Sequence, residues 1–274
     1  MQTHFSSAIS WQLWAAGAAL AGVLLAAGPV AAQQPAQQPA LRMALTRLPA
    51  AARKTYVQTL FEQRLVVLYA RAGLARAGLS KDVLREALLG FYNLRPAPDK
   101  PKISASPVLT VVDLTRPSNL KRLWVVDVAQ QKILFNTLVA HGKGTGDVVA
   151  TAFSNLDGSE QSSLGFYRTG RSTYVGKHGL SLKLHGLDPG FNTNAEKRAV
   201  VVHGAEYVCD DFVKKHGHLG RSQGCPALPV AETAAIIQAI VGGSVLYLHG
   251  PAAAGYHSRW LDADRALEAF GRAL

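Results

Sequence analysis

From Pro107 to Leu248 the chain is cut into short apolar runs separated by glycine-bearing or polar turns, and this pattern limits the fold more than anything else in the sequence. Val108–Leu114, Arg122–Val128, Lys132–His141, Leu164–Tyr167, Leu180–His185, Ala199–His203 and Ser244–Leu248 are rich in Val, Leu and aromatic residues and too short for helices of a globular core. Ala129-Gln130-Gln131 is a turn that makes the second and third runs a hairpin. Gly142–Ser163 is a long polar loop, Ala231–Ile240 a helix of Ala and Ile, and Ser258–Leu274 a closing amphipathic helix. Many strands and few helices imply a mostly-β domain over 107–250, with a C-terminal helical stretch over 251–274.

The upstream third has a different period. In 41–95, Tyr56, Leu60, Leu65 and Leu68 recur at helical spacing toward Gly73. Ser80 is placed to cap SKDVLREALLGFYNL, whose Val83, Leu84, Ala87, Leu88 and Phe91 share one face, and Pro96 and Pro98 stop it. The Pro/Gln stretch 33–40 and the Pro/Lys-rich stretch 96–106 read as linkers on either side of this small helical segment. Residues 1–32 carry no Asp, Glu, Lys or Arg, and Trp11–Ala27 is an apolar run followed by Pro29-Val30-Ala31-Ala32. That is the pattern of a secretory signal peptide cleaved after Ala32, although His4 stands where Lys or Arg is expected. The apolar run is shorter than the ~20 residues of a membrane span. The expectation is therefore an exported chain in an oxidising compartment, with no stable membrane span after cleavage.

The net charge of +11 is unevenly placed. Residues 33–102 hold 12 Lys and Arg against 4 Asp and Glu, whereas 103–274 hold 17 against 14. No nucleic-acid-binding motif accompanies the excess, so an anionic envelope polymer or a plain solvated helix surface explains it better than nucleic acid.

Chemistry concentrates in Val200–Pro229. A run of valines ends at His203-Gly204, where a sheet would hold and partly desolvate the imidazole as a general base requires. Downstream, Arg221-Ser222-Gln223-Gly224-Cys225-Pro226 sets a cysteine on a turn. There Arg221 would favour the thiolate. Ser222 would steady the turn or bind substrate, and the N–H groups of Gly224 and Cys225 would face an oxyanion. Competing uses of the same residues are a Cys209–Cys225 disulfide and a zinc site built from His203, His216, His218 and Cys225. Cys209 lies beside Asp210 and Asp211, a poor setting for a thiolate, and the histidine spacing matches no common zinc signature. The reading is a Cys/His pair with neither metal nor cofactor.

His203-Gly204 followed by Ser222-Gln223-Gly224-Cys225 resembles the active-site signature of the L,D-transpeptidase catalytic-domain family, the YkuD-type fold. The likeness runs from about Leu109 to Leu248 through LTVVDL, RLWVVDV, FNTLVAHGKGTG, SSLGFYRTG and YVGKHGLSLKLHGLDPGFN, in the manner of a divergent branch found in Gram-negative envelopes. The resemblance implies a β-sandwich catalytic domain, a periplasmic location, and acyl transfer on peptidoglycan stem peptides. Cys225 would be the nucleophile and His203 the base, oriented by the backbone carbonyl of Gly204, with Ser222 and Gly224 framing the oxyanion site. The family pattern has His or Arg where this chain has Gln223, and Arg or Asn where it has Ala227. Arg221 stands in for the missing charge, and Arg171, Lys183 and His185 are further basic candidates for a substrate groove. Water as acceptor would make the same pair an L,D-carboxypeptidase, and a non-catalytic basic envelope-binding protein is the reading outside enzymes.

Overall fold

A computed structural model of the protein describes residues 38–95 and 103–274. The expected signal peptide, the first linker up to Gln37 and residues 96–102 of the second lie outside these. No helix among the described residues is long and apolar enough to cross a membrane.

The described residues divide into two compact units, residues 38–64 with 267–274, and residues 65–95 with 103–266. In the first, helix α1 (Gln38–Thr46) leads into α2 (Ala50–Arg71). Leu41, Leu45, Val57, Leu60 and Phe61 are buried, and Phe61 meets Phe270 edge to face at 5.6 Å.

The second unit contains α3 (Lys81–Leu94), eight strands and two further helices. The strands are β1 (Val108–Asp113), β2 (Leu123–Asp127), β3 (Lys132–Thr137), β4 (Gly165–Gly176), β5 (Gly179–Gly186), β6 (Val201–Gly204), β7 (Ala227–Leu228) and β8 (Val245–His249). They form one sheet in the order β3-β2-β1-β8-β4-β5-β6-β7. All neighbours are antiparallel except β1–β8 and β6–β7. After β3 the chain runs along β7, where the Ala140 N–H donates to the Ala227 carbonyl at 2.9 Å. The sheet therefore curls nearly closed, and the two layers of the expected sandwich are parts of one sheet.

The inner face follows from strand alternation. Val112, Leu123, Val125, Tyr167, Leu182, Leu184, Val200, Val202, Leu246 and Leu248 make one core cluster with Ile236, Ile237 and Ile240 of α5 (Val230–Ile240). The opposite face of β8 and β4 is covered by α3. Ser80 caps that helix by accepting from the Asp82 N–H at 3.2 Å, and the expected face of Val83, Leu84, Ala87, Leu88 and Phe91 is buried. A Cβ on Gly90 would stand 2.0 Å from the Phe166 ring, so only glycine lets helix and sheet approach this closely.

Two elements were not visible in the sequence. β4 continues far past Tyr167 and forms with β5 a two-stranded ribbon whose outer residues, Arg171–Val175, are exposed. Helix α4 (Asp210–His216) lies in the β6–β7 crossover and has no buried residue, so no apolar stripe announces it. The last helix, α6 (Ala263–Ala273), is preceded by 3-10 turns at Ala252–Ala254 and Arg259–Leu261, so the expected helical stretch 251–274 is helical only in its second half.

Candidate active site

β6 positions the histidine. Val200 and Val202 point into the core, so His203 projects from the opposite face of the strand. Its Nδ1–H donates to the Gly204 carbonyl at 2.8 Å, which leaves Nε2 as the unprotonated nitrogen. The ring is 2 % exposed, and burial first, then the neighbouring His178, holds its pKa below the usual imidazole range, against the opposing effect of the Gly204 hydrogen bond. His203 is thus neutral near neutral pH, the form a base needs.

The cysteine docks against the same strand. Cys225 Sγ accepts from the Val201 N–H at 3.4 Å and lies 3.8 Å from the Ala199 carbonyl. Two residues further on, Ala227 of β7 pairs in register with His203. Sulfur and imidazole therefore sit along one stretch of sheet edge. Burial raises the thiol pKa, and the Val201 hydrogen bond and the charge of Arg198 oppose it. The resting group is a thiol, and it would need a base to become a nucleophile. Cys209 and Cys225 are both free. Cys209 caps α4 instead, its sulfur accepting from the Phe212 N–H at 3.4 Å.

The turn that carries Cys225 is stapled from within. Ser222 Oγ donates to the Cys225 carbonyl at 2.7 Å and accepts from the Gly224 N–H at 3.1 Å. Gly224 has φ +118°, and a Cβ there would stand 2.7 Å from the Gln161 carbonyl, so glycine is required. Of the two N–H groups expected to face an oxyanion, that of Gly224 is already used; that of Cys225 has no partner among the described residues. Ser222, 6 % exposed, steadies the turn rather than offering its hydroxyl outward.

The charge beside the cysteine is not the one expected. Arg221 pairs with the Asp147 carboxylate on the loop after β3. Arg198, unremarked in the sequence, reaches the Ser154 carbonyl (2.9 Å), Ser163 Oγ (2.5 Å), Ser159 Oγ (3.2 Å) and the Gln161 carbonyl (2.6 Å). Its guanidinium also lies 3.1 Å from where a Gly224 Cβ would be. It joins the polar loop to the cysteine turn. His178, on the turn between β4 and β5, stacks on His203 with ring centroids 4.4 Å apart and an interplanar angle of 26°. Tyr207 is the third unanticipated neighbour; burial and then Cys225 push its phenol up to about 12. These three are brought in by loops and strand register, and no local spacing reveals them.

His216 packs on Phe212 at 4.3 Å and His218 Nδ1 pairs with the Leu219 carbonyl at 2.6 Å, so neither joins the Cys225 cluster. Lys183 and His185 share the carboxylate of Glu196 at 3.6 and 3.1 Å, and Arg171 lies on the exposed ribbon.

A neutral imidazole fixed through its Nδ1, a thiol docked on the same strand and a stapled glycine turn thus lie together on a nearly closed sheet. The model of the L,D-transpeptidase catalytic domain matches residues 75–249, and the chain belongs to that family. Among solved structures it is similar to the L,D-transpeptidase from Mycobacterium smegmatis, at 14 % identity over 53 % of this chain and 59 % of that one, with a TM-score of 0.33. It is similar also to the helical cell shape determining protein Pgp2 from Campylobacter jejuni (12 %, 60 % and 55 %, TM-score 0.35). A third is the L,D-transpeptidase (Yku) from Stackebrandtia nassauensis (16 %, 69 % and 76 %, TM-score 0.33). The chain spans little more than half the length of the first two. No curated protein matches it.

Proposed function

We propose that the protein is an exported, periplasmic cysteine L,D-transpeptidase that acts on peptidoglycan stem peptides through a thioester acyl-enzyme. The observation that carries this reading is the pairing of His203, held through Nδ1 by the Gly204 carbonyl, with Cys225 Sγ docked on the Val201 N–H of the same strand. His203 Nε2 takes the thiol proton, and sulfur attacks the carbonyl that joins a diaminopimelate to the terminal D-amino acid. The C–N bond breaks as the imidazolium returns the proton to the leaving amine. An amine of a second stem then attacks the thioester, gives its proton to His203, and the sulfur leaves to be reprotonated. The Cys225 N–H is the backbone donor available to the oxyanion.

The test is mass spectrometry of the purified protein incubated with disaccharide-tetrapeptide, beside Cys225→Ala. A cross-linked dimer lacking one D-Ala, absent with the variant, supports the proposal. Tripeptide alone would make the protein an L,D-carboxypeptidase. Unaltered turnover by Cys225→Ala would end the cysteine mechanism.

A further inference from the structure

β5 pairs with β6 through Ser181–His203 and Lys183–Val201, and with β4 through His185–Arg168. Leu182, Leu184 and Tyr167 of the same strands point into the core. Residues opposite one another in a ladder share a face, so Lys183, His185 and Arg168 project from the side of the sheet that carries His203. Arg171 lies in the register break of β4, close enough to Arg168 for the two charges to repel.

The charges on this face do not balance. Glu196 is the carboxylate among them, and it is held by His185 and Lys183. Arg168, half-buried, and Arg171 make no hydrogen bond or ion pair among the described residues. After burial, the strongest influence on Arg168 is its repulsion by Arg171. Two guanidinium groups whose mutual repulsion outweighs the attraction of Glu196 are relieved by a bound anion, and their planar forks suit a carboxylate.

Strand spacing of ~4.8 Å puts Lys183 about 10 Å and Arg168 about 15 Å from the sulfur docked on Val201. In a stem peptide the γ-linked glutamyl carboxylate stands about 9 Å from the carbonyl under attack when extended, within reach of long side chains rooted at these distances. We infer that Arg168, Arg171 and Lys183 form a carboxylate-binding subsite that reads the free glutamyl carboxylate of the substrate peptide, upstream of the scissile bond. The inference rests on the proposed peptide substrate but makes its own claim, namely that a distal negative charge is recognised.

The experiment uses the full chain with Cys225→Ala, so that binding is measured without turnover. A disaccharide-tetrapeptide with its glutamyl carboxylate free is titrated calorimetrically beside the same molecule with that group as carboxamide. The expected result is tighter binding of the acid, by about 5- to 10-fold, at low salt. Adding Arg168→Gln with Arg171→Gln should abolish that preference and leave binding of the amide unchanged. Lys183→Gln, at an exposed position that carries no packing, should reduce it in part and guards against misfolding of the double variant. Equal binding of acid and amide would overturn the subsite, as would equal losses for both in the variants. So would a patch that binds polyphosphate with no effect on either peptide, which would make it a polymer-binding surface. Wild-type turnover is followed separately. Acid–amide discrimination without turnover would sink the transpeptidase reading and keep the subsite; turnover without discrimination would do the reverse.

Discussion

Two buried histidines in the sheet unit carry opposite designs. His141 is 1 % exposed and His203 2 %. His141 spends both ring nitrogens. Its Nδ1 accepts from the Arg122 guanidinium at 2.7 Å, and its Nε2–H donates to the Gly146 carbonyl at 3.0 Å. Arg122, itself fully buried, further binds the Val139 and Arg116 carbonyls. His203 spends Nδ1 alone, on the Gly204 carbonyl, and its second nitrogen makes no hydrogen bond among the described residues. A saturated imidazole can only hold structure; one with a vacant nitrogen can take a proton. The two are connected, because the His141 carbonyl accepts the Ser222 N–H at 2.9 Å at the head of the cysteine turn. The saturated histidine therefore fixes one end of the turn that carries Cys225.

The largest effect should come from removing the reacting groups. Cys225→Ala and His203→Ala are each expected to lower turnover of the tetrapeptide by about 10³-fold or more, with thermal midpoints within a few degrees of wild type. His141→Leu should invert this pattern. It strands one N–H of the buried Arg122 guanidinium, costing about 2–4 kcal/mol by urea unfolding. If instead His203→Ala unfolded the protein and His141→Leu did not, the division between holding and reacting would be wrong.

The pH dependence sharpens the same contrast. Burial first and then the Arg122 charge lower the His141 pKa to about 4. The unfolded chain takes up the proton first, near its ordinary value of ~6.5. Stability is therefore complete above that value, falls as pH drops through the interval, and stops falling below the folded value. Each pH unit is worth about 1.4 kcal/mol, so about 3 kcal/mol is at stake. Thermal midpoints measured from pH 7.5 to 4 should show this loss in wild type, and His141→Leu should flatten it.

Sequence reading and structure diverge on physical grounds that individual residues make plain. His203-Gly204 and Ser222-x-Gly224-Cys225 are contiguous signals whose local geometry is set by a strand end and a glycine turn, so their placement was readable. Arg198 was not, because its partners are carbonyls and hydroxyls of Ser154, Ser159, Gln161 and Ser163, dozens of residues earlier in the chain. Arg221 misled because nearness in sequence to Cys225 does not fix where a long side chain goes, and Asp147 claims it. The outer half of β4 buries no side chain, so no buried-exposed alternation marks it as strand, although Thr173, Tyr174 and Val175 favour extended backbone. The near closure of the sheet depends on single bridges such as Ala140–Ala227, which no run of residues encodes.

Arg198 separates charge from scaffolding. Arg198→Met removes both the loop clamp and the positive charge that opposes the rise in the Cys225 pKa. Alkylation of Cys225 by iodoacetamide at a fixed pH of about 7.5 should slow by about 2- to 5-fold, since less thiolate is present. Arg198→Lys keeps a charge and should restore most of that rate even where the clamp stays weak. Equal slowing in both variants would assign Arg198 to scaffolding alone.

The smallest effect belongs to His178, and it bears most directly on what keeps the reacting histidine ready. Its ring stacks on His203, and its charge, after burial, contributes to the depressed pKa of the base. His178→Ala should reduce kcat/KM by about 2- to 10-fold, the size of ~0.5–1.5 kcal/mol of ring stacking. The informative readout is the acid limb of the pH profile. The base must be neutral, so raising its pKa moves the loss of activity toward higher pH. His178→Phe keeps a stacking ring without a titratable charge; it should recover kcat/KM at pH 8 while leaving the acid limb displaced. A profile that does not move in either variant would reduce His178 to a cover over the ring. The depressed pKa of His203 would then rest on burial alone, as that of a holding histidine largely does.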